Sequence, residues 1–202
     1  MQNIKNAILV AVFAVIGIVG GLLFVGNETT FLNSSPEAQP NESIVENQSQ
    51  TQQQAIIPAV VSIPKLNVYA AVEHVGQDTL GRMDIPKVAA NVAWYQLGFR
   101  PGEKGSAVLA GHFDDVTGAP AVFFYLSSLV AGDQVIVEDQ EGNRRVFVVV
   151  NKTIYAFDQV PLEQVFASTD KPRLNLITCD GVFNQNTRNY SQRLVVYTEL
   201  ES

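Results

Sequence analysis

The chain holds one cysteine, Cys179, and two histidines, His74 and His112. One cysteine excludes an internal disulfide, a zinc-finger cluster and an iron–sulfur site, and two histidines exclude a His-rich metal site. Cys179 closes the apolar run "LNLITC" and is followed by Asp180-Gly181. Fourteen positions after the cysteine, Arg193 opens a second apolar run, "RLVVYTEL", and His112 follows a third, "SAVLAGH". Each of these polar groups stands at the end of a strand-like segment. If the first two segments pair antiparallel, Cys179 and Arg193 meet at one rim. A third strand running the same way as the first brings His112 to that rim as well.

Thiol, imidazole and guanidinium together make a coherent chemical set. A free thiol with a pKa near 8.5 is only about 3% thiolate at pH 7. A neighbouring imidazolium or guanidinium favours the anion, so the expectation is a sulfur held partly ionised. After attack on an amide carbonyl, negative charge develops on oxygen, where one fixed donor is worth roughly 2–4 kcal/mol. His112 is placed to protonate the departing amine. The set fits acyl transfer through a thioester.

Short β-branched runs broken by turn residues must position these groups. Candidate strands are Ala59–Ile63, Tyr69–Val75, Ser106–Ala110, Gln134–Asp139, Arg144–Ile154, Leu174–Cys179 and Arg193–Glu199. The last two leave Gly181–Gln192 as the connecting loop. "EDQEGNRRVFVVV" reads as a hairpin turning at Gly142-Asn143, and "VPLEQVFA" as one short helix with Pro161 at its first position. Many short strands and few helices point to a closed or sandwiched β architecture spanning 56–202.

Two other segments precede that domain. From Ala7 to Gly26 twenty residues carry no charge, and a helix of that length is about 30 Å long, the thickness of a bilayer's hydrocarbon core. Lys5 precedes the stretch and no Lys or Arg follows until Lys65. The positive-inside rule therefore puts the N-terminus in the cytoplasm and the rest outside, with 1–26 an uncleaved signal anchor. Residues 27–55, rich in Gln, Asn, Ser and Glu, lack the apolar surface to repay ordering and read as a disordered tether. The net charge of -7 argues against nucleic acid and against an anionic lipid surface.

The remaining polar residues have plainer readings. His74 lies inside a strand and reads as structural. Asp114 and Asp115 read as a solvated turn, Asp180 as an Asx turn and Trp94-Tyr95 as core. Alternation points Thr178 to the face opposite Cys179. No cofactor or metal site is expected.

The segment "LNLITCDGVFNQNTRNYSQRLVVYTEL" resembles the cysteine motif of sortases, where a TLxTC-type strand leads through a loop to a strand opening with Arg. "WYQLGFRPGEKGSAVLAGHFDDVTGAPAVFFYLSSLVAGDQVIV" is similar to the segment around the sortase histidine, particularly in the class E/F groups. The likeness runs over most of Ile56–Glu199, in the family's order. It implies an all-β, eight-stranded barrel with one or two short helices, behind a membrane anchor and tether. It also implies a cysteine transpeptidase at the outer cell surface that cuts an LPxTG-like sorting signal between Thr and Gly. The acyl group, held on sulfur, passes to a cell-wall precursor amine, a pilin lysine or water. Carried over by position, Cys179 is the nucleophile, His112 the general acid/base and Arg193 the oxyanion stabiliser. The family often spaces its Arg close to thirteen residues after the Cys, which leaves Arg188 as an alternative. A SHGC-like motif, as in L,D-transpeptidases, is absent. The competing non-enzymatic reading is a tethered β-barrel binding module in which Cys179 is inert core.

Overall fold

The computed structural model describes residues 54–202, so the predicted anchor and nearly all of the tether lie outside the described residues. Eight strands run in order: β1 (Val60–Ile63), β2 (Val68–Val75), β3 (Val92–Tyr95), β4 (Gly105–Gly111), β5 (Gln134–Glu138), β6 (Arg144–Ala156), β7 (Pro172–Asn184) and β8 (Asn189–Leu200). They close into a barrel in the order β1-β2-β3-β4-β7-β8-β6-β5. Closure removes both sheet edges, the unpaired rows that otherwise invite aggregation. The only α-helix among the described residues is α1, Leu162–Val165, entered from Pro161. Two single-turn 3-10 helices, Pro64–Leu66 and Leu126–Ser128, complete the regular structure.

Alternation along each strand divides the apolar side chains between two clusters. Val61, Ile63, Val92, Trp94, Ala107, Leu109, Phe147, Leu174, Leu176, Leu194 and Val196 fill the barrel with Phe123, Leu126 and Leu129. Val108, Val195 and Tyr197 point the other way and pack with Val165 of α1, with Phe166, Tyr95, Tyr155, Met83 and Ile177 around them. The strip β4-β7-β8 is therefore covered on both faces, which is why β4 reads as an unbroken buried run from Gly105 to Leu109 rather than an alternating one. Asn175 and Ser106 serve the outer layer. The Asn175 amide donates to the Val165 carbonyl at 2.6 Å, and the Ser106 N–H donates to the Ala167 carbonyl at 2.9 Å, so β7 and β4 together hold the α1 segment down.

Two features differ from the sequence reading. β3 has no predicted counterpart: Val92, Ala93 and Trp94 are consecutive and all buried, with Tyr95 partly so, and neither length nor period marks it as a strand. Trp94 lies in the core as expected, its indole N–H donating to the Phe99 carbonyl at 3.1 Å. The β7–β8 hairpin also reaches further than expected. Asp180-Gly181 does not begin a loop. After Cys179↔Arg193 and Asp180↔Gln192 the next pair is Phe183↔Tyr190, so one extra residue sits on β7 as a bulge. Gly181 takes φ 81 there, and a Cβ on it would meet the Ser191 hydroxyl at 2.4 Å. Cys179 thus lies within a long strand, but just past the point where β4 stops covering it.

Candidate active site

Strand register decides what meets at this end of the barrel. β4 and β7 run parallel with Ala110 opposite Ile177. Two residues further in the same register come His112 and Cys179. β8 runs antiparallel to β7 and sets Arg193 directly opposite Cys179. Ile177 and Val195 belong to the outer layer, and a step of two keeps a side chain on its face. Cys179 and Arg193 therefore face each other on the outer side of β7 and β8, in line with the α1-covered apolar layer, and His112 follows directly on the end of β4 at the same end of the barrel.

The inward-facing partners of these residues fix the strand ends. Thr178, 3% exposed, donates its hydroxyl to the Gly111 carbonyl at 2.9 Å, which ties β4 to β7 where their ladder ends. Gly111 admits no side chain, because a Cβ there would meet the buried Phe123 ring at 2.5 Å. Glycine before His112 thus reflects packing against the core, and it lets the chain turn close over Phe123.

The imidazole of His112 is oriented by backbone. Its Nε2 lies 2.9 Å from the Pro86 carbonyl. A carbonyl can only accept, so Nε2 carries the hydrogen, and in the neutral ring Nδ1 is the free base. Arg193 is oriented the same way. Its Nη1 donates to the carbonyls of Tyr190 at 3.2 Å and Gln192 at 2.7 Å, and Nη2 donates to Asn189 Oδ1 at 2.7 Å. Of the five guanidinium N–H groups, Nε–H and one Nη2–H remain for an incoming oxygen. Arg188 sits elsewhere, exposed in the hairpin turn with φ 52.

The thiol departs from the sequence expectation. Burial of the half-buried Cys179 pushes its pKa above the ordinary thiol value. The Arg193 guanidinium pulls it back and the Asp114 carboxylate pushes it up again. Desolvation outweighs the guanidinium, so the resting site holds a protonated thiol rather than a partly ionised one, and the attacking step needs a base.

Asp114 and Asp115 do not behave alike. Asp115 closes a turn, accepting from the Thr117 N–H at 2.8 Å, its hydroxyl at 2.6 Å and the Ala119 N–H at 3.0 Å. Asp114, two residues beyond His112, instead accepts from the Tyr190 hydroxyl. Burial, that hydrogen bond and the Asp114 charge push the Tyr190 phenol up to about 12. Tyr190 also packs edge-on to Phe113 at 5.5 Å and lies 5.2 Å from Phe183, giving the site an aromatic flank opposite the α1 layer. The spacing of two from His112 was the available signal for Asp114. His74 is structural as expected, with Nε2 2.7 Å from the Pro58 carbonyl and its ring edge-on to Trp94 at 5.2 Å. Among the described residues no group of three His, Cys, Asp or Glu is arranged to hold a metal ion.

Comparison with known proteins agrees with this fold. A family model for the sortase domain matches residues 61–201. Sortase A of Listeria monocytogenes superposes with a TM-score of 0.54 at 22% identity, over 74% of this chain and 89% of its own. Sortase C1 of Streptococcus agalactiae gives 0.56 at 23% identity, over 71% and 69%. Sortase C-1 of Actinomyces oris gives 0.56 at 22% identity, over 73% and 74%. Identities this low speak for the fold alone. No curated protein matches the chain.

Proposed function

The chain belongs to the sortase family, and on that premise we propose that it is a membrane-anchored transpeptidase in which Cys179, His112 and Arg193 do the chemistry. One observation supports the assignment: Arg193 is opposite Cys179 in the β7–β8 ladder, and His112 follows directly on the end of β4, two positions past Ala110, whose partner Ile177 is two positions before Cys179. Because burial keeps the thiol protonated, His112 Nδ1 takes the thiol proton as sulfur attacks the peptide carbonyl. The free Nε–H and Nη2–H of Arg193 receive the oxygen as it gains charge. The imidazolium then returns its proton to the departing amine, leaving the acyl group on sulfur as a thioester. An amine of the cell envelope, or water, completes the cycle by attacking that thioester.

The donor is an LPxTG-like sorting signal cut between Thr and Gly. Partly buried Ile177, two residues before Cys179 on β7, and Phe166 of the outer layer leave apolar surface for its apolar residues. The "WYQLGFRPGEKGSAVLAGHFDD" segment supports a class E/F-like enzyme. Residues 1–26 anchor it in the cell membrane, 27–55 tether it, and 56–202 act outside the cell.

The test is to incubate the full chain with a library of LPxTG-type peptides and read the mass of the Cys179 peptide. An acyl adduct that disappears in Cys179→Ala supports the assignment. Equal cleavage by wild type and Cys179→Ala, or no adduct from any peptide, sinks it in favour of a binding module with an inert cysteine.

A further inference from the structure

The group that orients His112 is itself held by a charge. Pro86 O, which accepts from His112 Nε2 at 2.9 Å, belongs to the Pro86–Lys87 peptide. The N–H of that same peptide, on Lys87, donates to Glu73 Oε2 at 2.9 Å. A trans peptide points its carbonyl and N–H in opposite directions within one plane, so imidazole and carboxylate lie at opposite edges of one amide. The chain of contacts is imidazole N–H to carbonyl, then amide N–H to carboxylate.

Glu73 is well fixed for this position. It stands in β2 opposite Ala93 of β3, and its second oxygen accepts from the Val88 N–H at 3.2 Å and the Asn91 amide at 2.9 Å. Four residues thus converge on one carboxylate or the peptide it holds. The Lys87 N–H, then the Asn91 amide, hold its pKa below the usual carboxylate range, so it is ionised at neutral pH. Hydrogen bonds in series polarise one another. A carboxylate pulling on the amide hydrogen makes the carbonyl on the far side a stronger acceptor.

We propose that Glu73 is a positioning residue for His112, acting through the Pro86–Lys87 peptide to fix the Nε2–H tautomer and to stabilise the imidazolium formed during turnover. The arrangement does the work of a carboxylate bonded directly to a catalytic imidazole, with one amide interposed. It has a geometric consequence: the ring is held from the β2–β3 segment and its Nδ1 is left free. The other charged or titratable groups at this end of the barrel are Lys87 beside the bridging peptide, Asp114 two residues beyond the ring, Tyr190 bonded to Asp114, and Cys179 and Arg193 across β7 and β8.

The inference rests on the acid/base reading of His112, yet its main readout needs no turnover. Full-length protein labelled with 15N only at histidine shows two imidazoles, assigned with His112→Gln. His74, whose Nε2 also meets a proline carbonyl, is the internal control. Wild type is expected to show the Nε2–H tautomer at His112. In Glu73→Ala the His112 signals shift toward a tautomer mixture while those of His74 stay put. Glu73→Gln can still accept the Lys87 N–H, so it keeps the tautomer. On an LPxTG-type peptide, kcat falls about tenfold in Glu73→Ala with KM within about twofold, less than the roughly 10²–10⁴ of the acid–base group itself, because Glu73 acts only through His112. Glu73→Asp recovers part of it. A His112 tautomer unchanged in Glu73→Ala overturns the proposal, even if melting temperature drops. A tautomer that follows Glu73 in a protein without turnover keeps the positioning role and removes the transpeptidase.

Discussion

Cys179 and Arg193 are directly opposed residues of the β7–β8 ladder, yet the guanidinium does not bring the thiol below its ordinary pKa, because burial raises it further than the charge lowers it. At neutral pH the sulfur is therefore protonated, and the thiolate fraction grows only as pH rises. Alkylation of Cys179 by iodoacetamide should be slower at pH 7 than that of free cysteine, whose pKa is about 8.5, and should still be climbing above pH 9. Arg193→Ala removes the favourable cation and slows the reaction further. Asp114→Asn removes the opposing charge and speeds it.

Arg193 and Arg188 separate by position, and kinetics should separate them too. Arg193 keeps Nε–H and one Nη2–H unengaged beside the sulfur. Replacing it with Ala should lower kcat by about 10²–10³, the usual loss for an oxyanion donor. Arg188→Ala, in the exposed hairpin turn, should leave kcat nearly unchanged. Comparable losses in both variants would remove Arg193 from its assigned role.

The Thr178–Gly111 contact predicts a loss of stability coupled to a loss of activity. Thr178→Val keeps shape but deletes the hydroxyl bonded to the Gly111 carbonyl, at a cost of about 1–3 kcal/mol for a buried group left unpaired. Gly111→Ala drives a Cβ toward Phe123, and overpacking of that kind costs about 1–3 kcal/mol. Denaturant melts should register both. Turnover per folded molecule should fall more in Gly111→Ala, since the displaced residue adjoins His112.

Acid should destabilise the domain in a defined window. The carboxyls of Glu73, Asp78, Asp115, Asp133 and Asp139 all lie below their ordinary values, led respectively by the Lys87 N–H and by the side chains of Arg82, Thr117, Lys65 and Asn143. A carboxyl depressed in the folded state stabilises above its unfolded pKa of about 4 and loses that contribution as pH falls through the folded value. Melting temperature should stay level from pH 7 to about 5 and drop below about 4. A melting temperature unchanged down to pH 3 would contradict these hydrogen bonds.

What the sequence disclosed depended on whether the relevant interaction was local. The pairing of "LNLITC" with "RLVVYTEL" was legible because each is an apolar run with a polar group at its end, and barrel closure followed from the family resemblance. β3 was not legible: "VAWY" is three consecutive buried residues and a partly buried fourth, without a period to detect. The thiol's raised pKa was not legible either, since desolvation is set by neighbours distant in the chain. Glu73 gave a faint signal, an acid inside the apolar strand "VYAAVEHV". Its partners, however, are backbone N–H groups at Lys87 and Val88, and no side-chain pattern announces those.

The single inserted residue at Asp180-Gly181 resets which side chains of the hairpin face which way. Beyond it the ladder resumes with Phe183↔Tyr190 and Asn184↔Asn189, and Asn189 and Tyr190 hold the Arg193 guanidinium. The turn Gln185–Arg188 is therefore the graft point: it can be swapped or lengthened while Asn189 and Tyr190 keep the guanidinium opposite the sulfur.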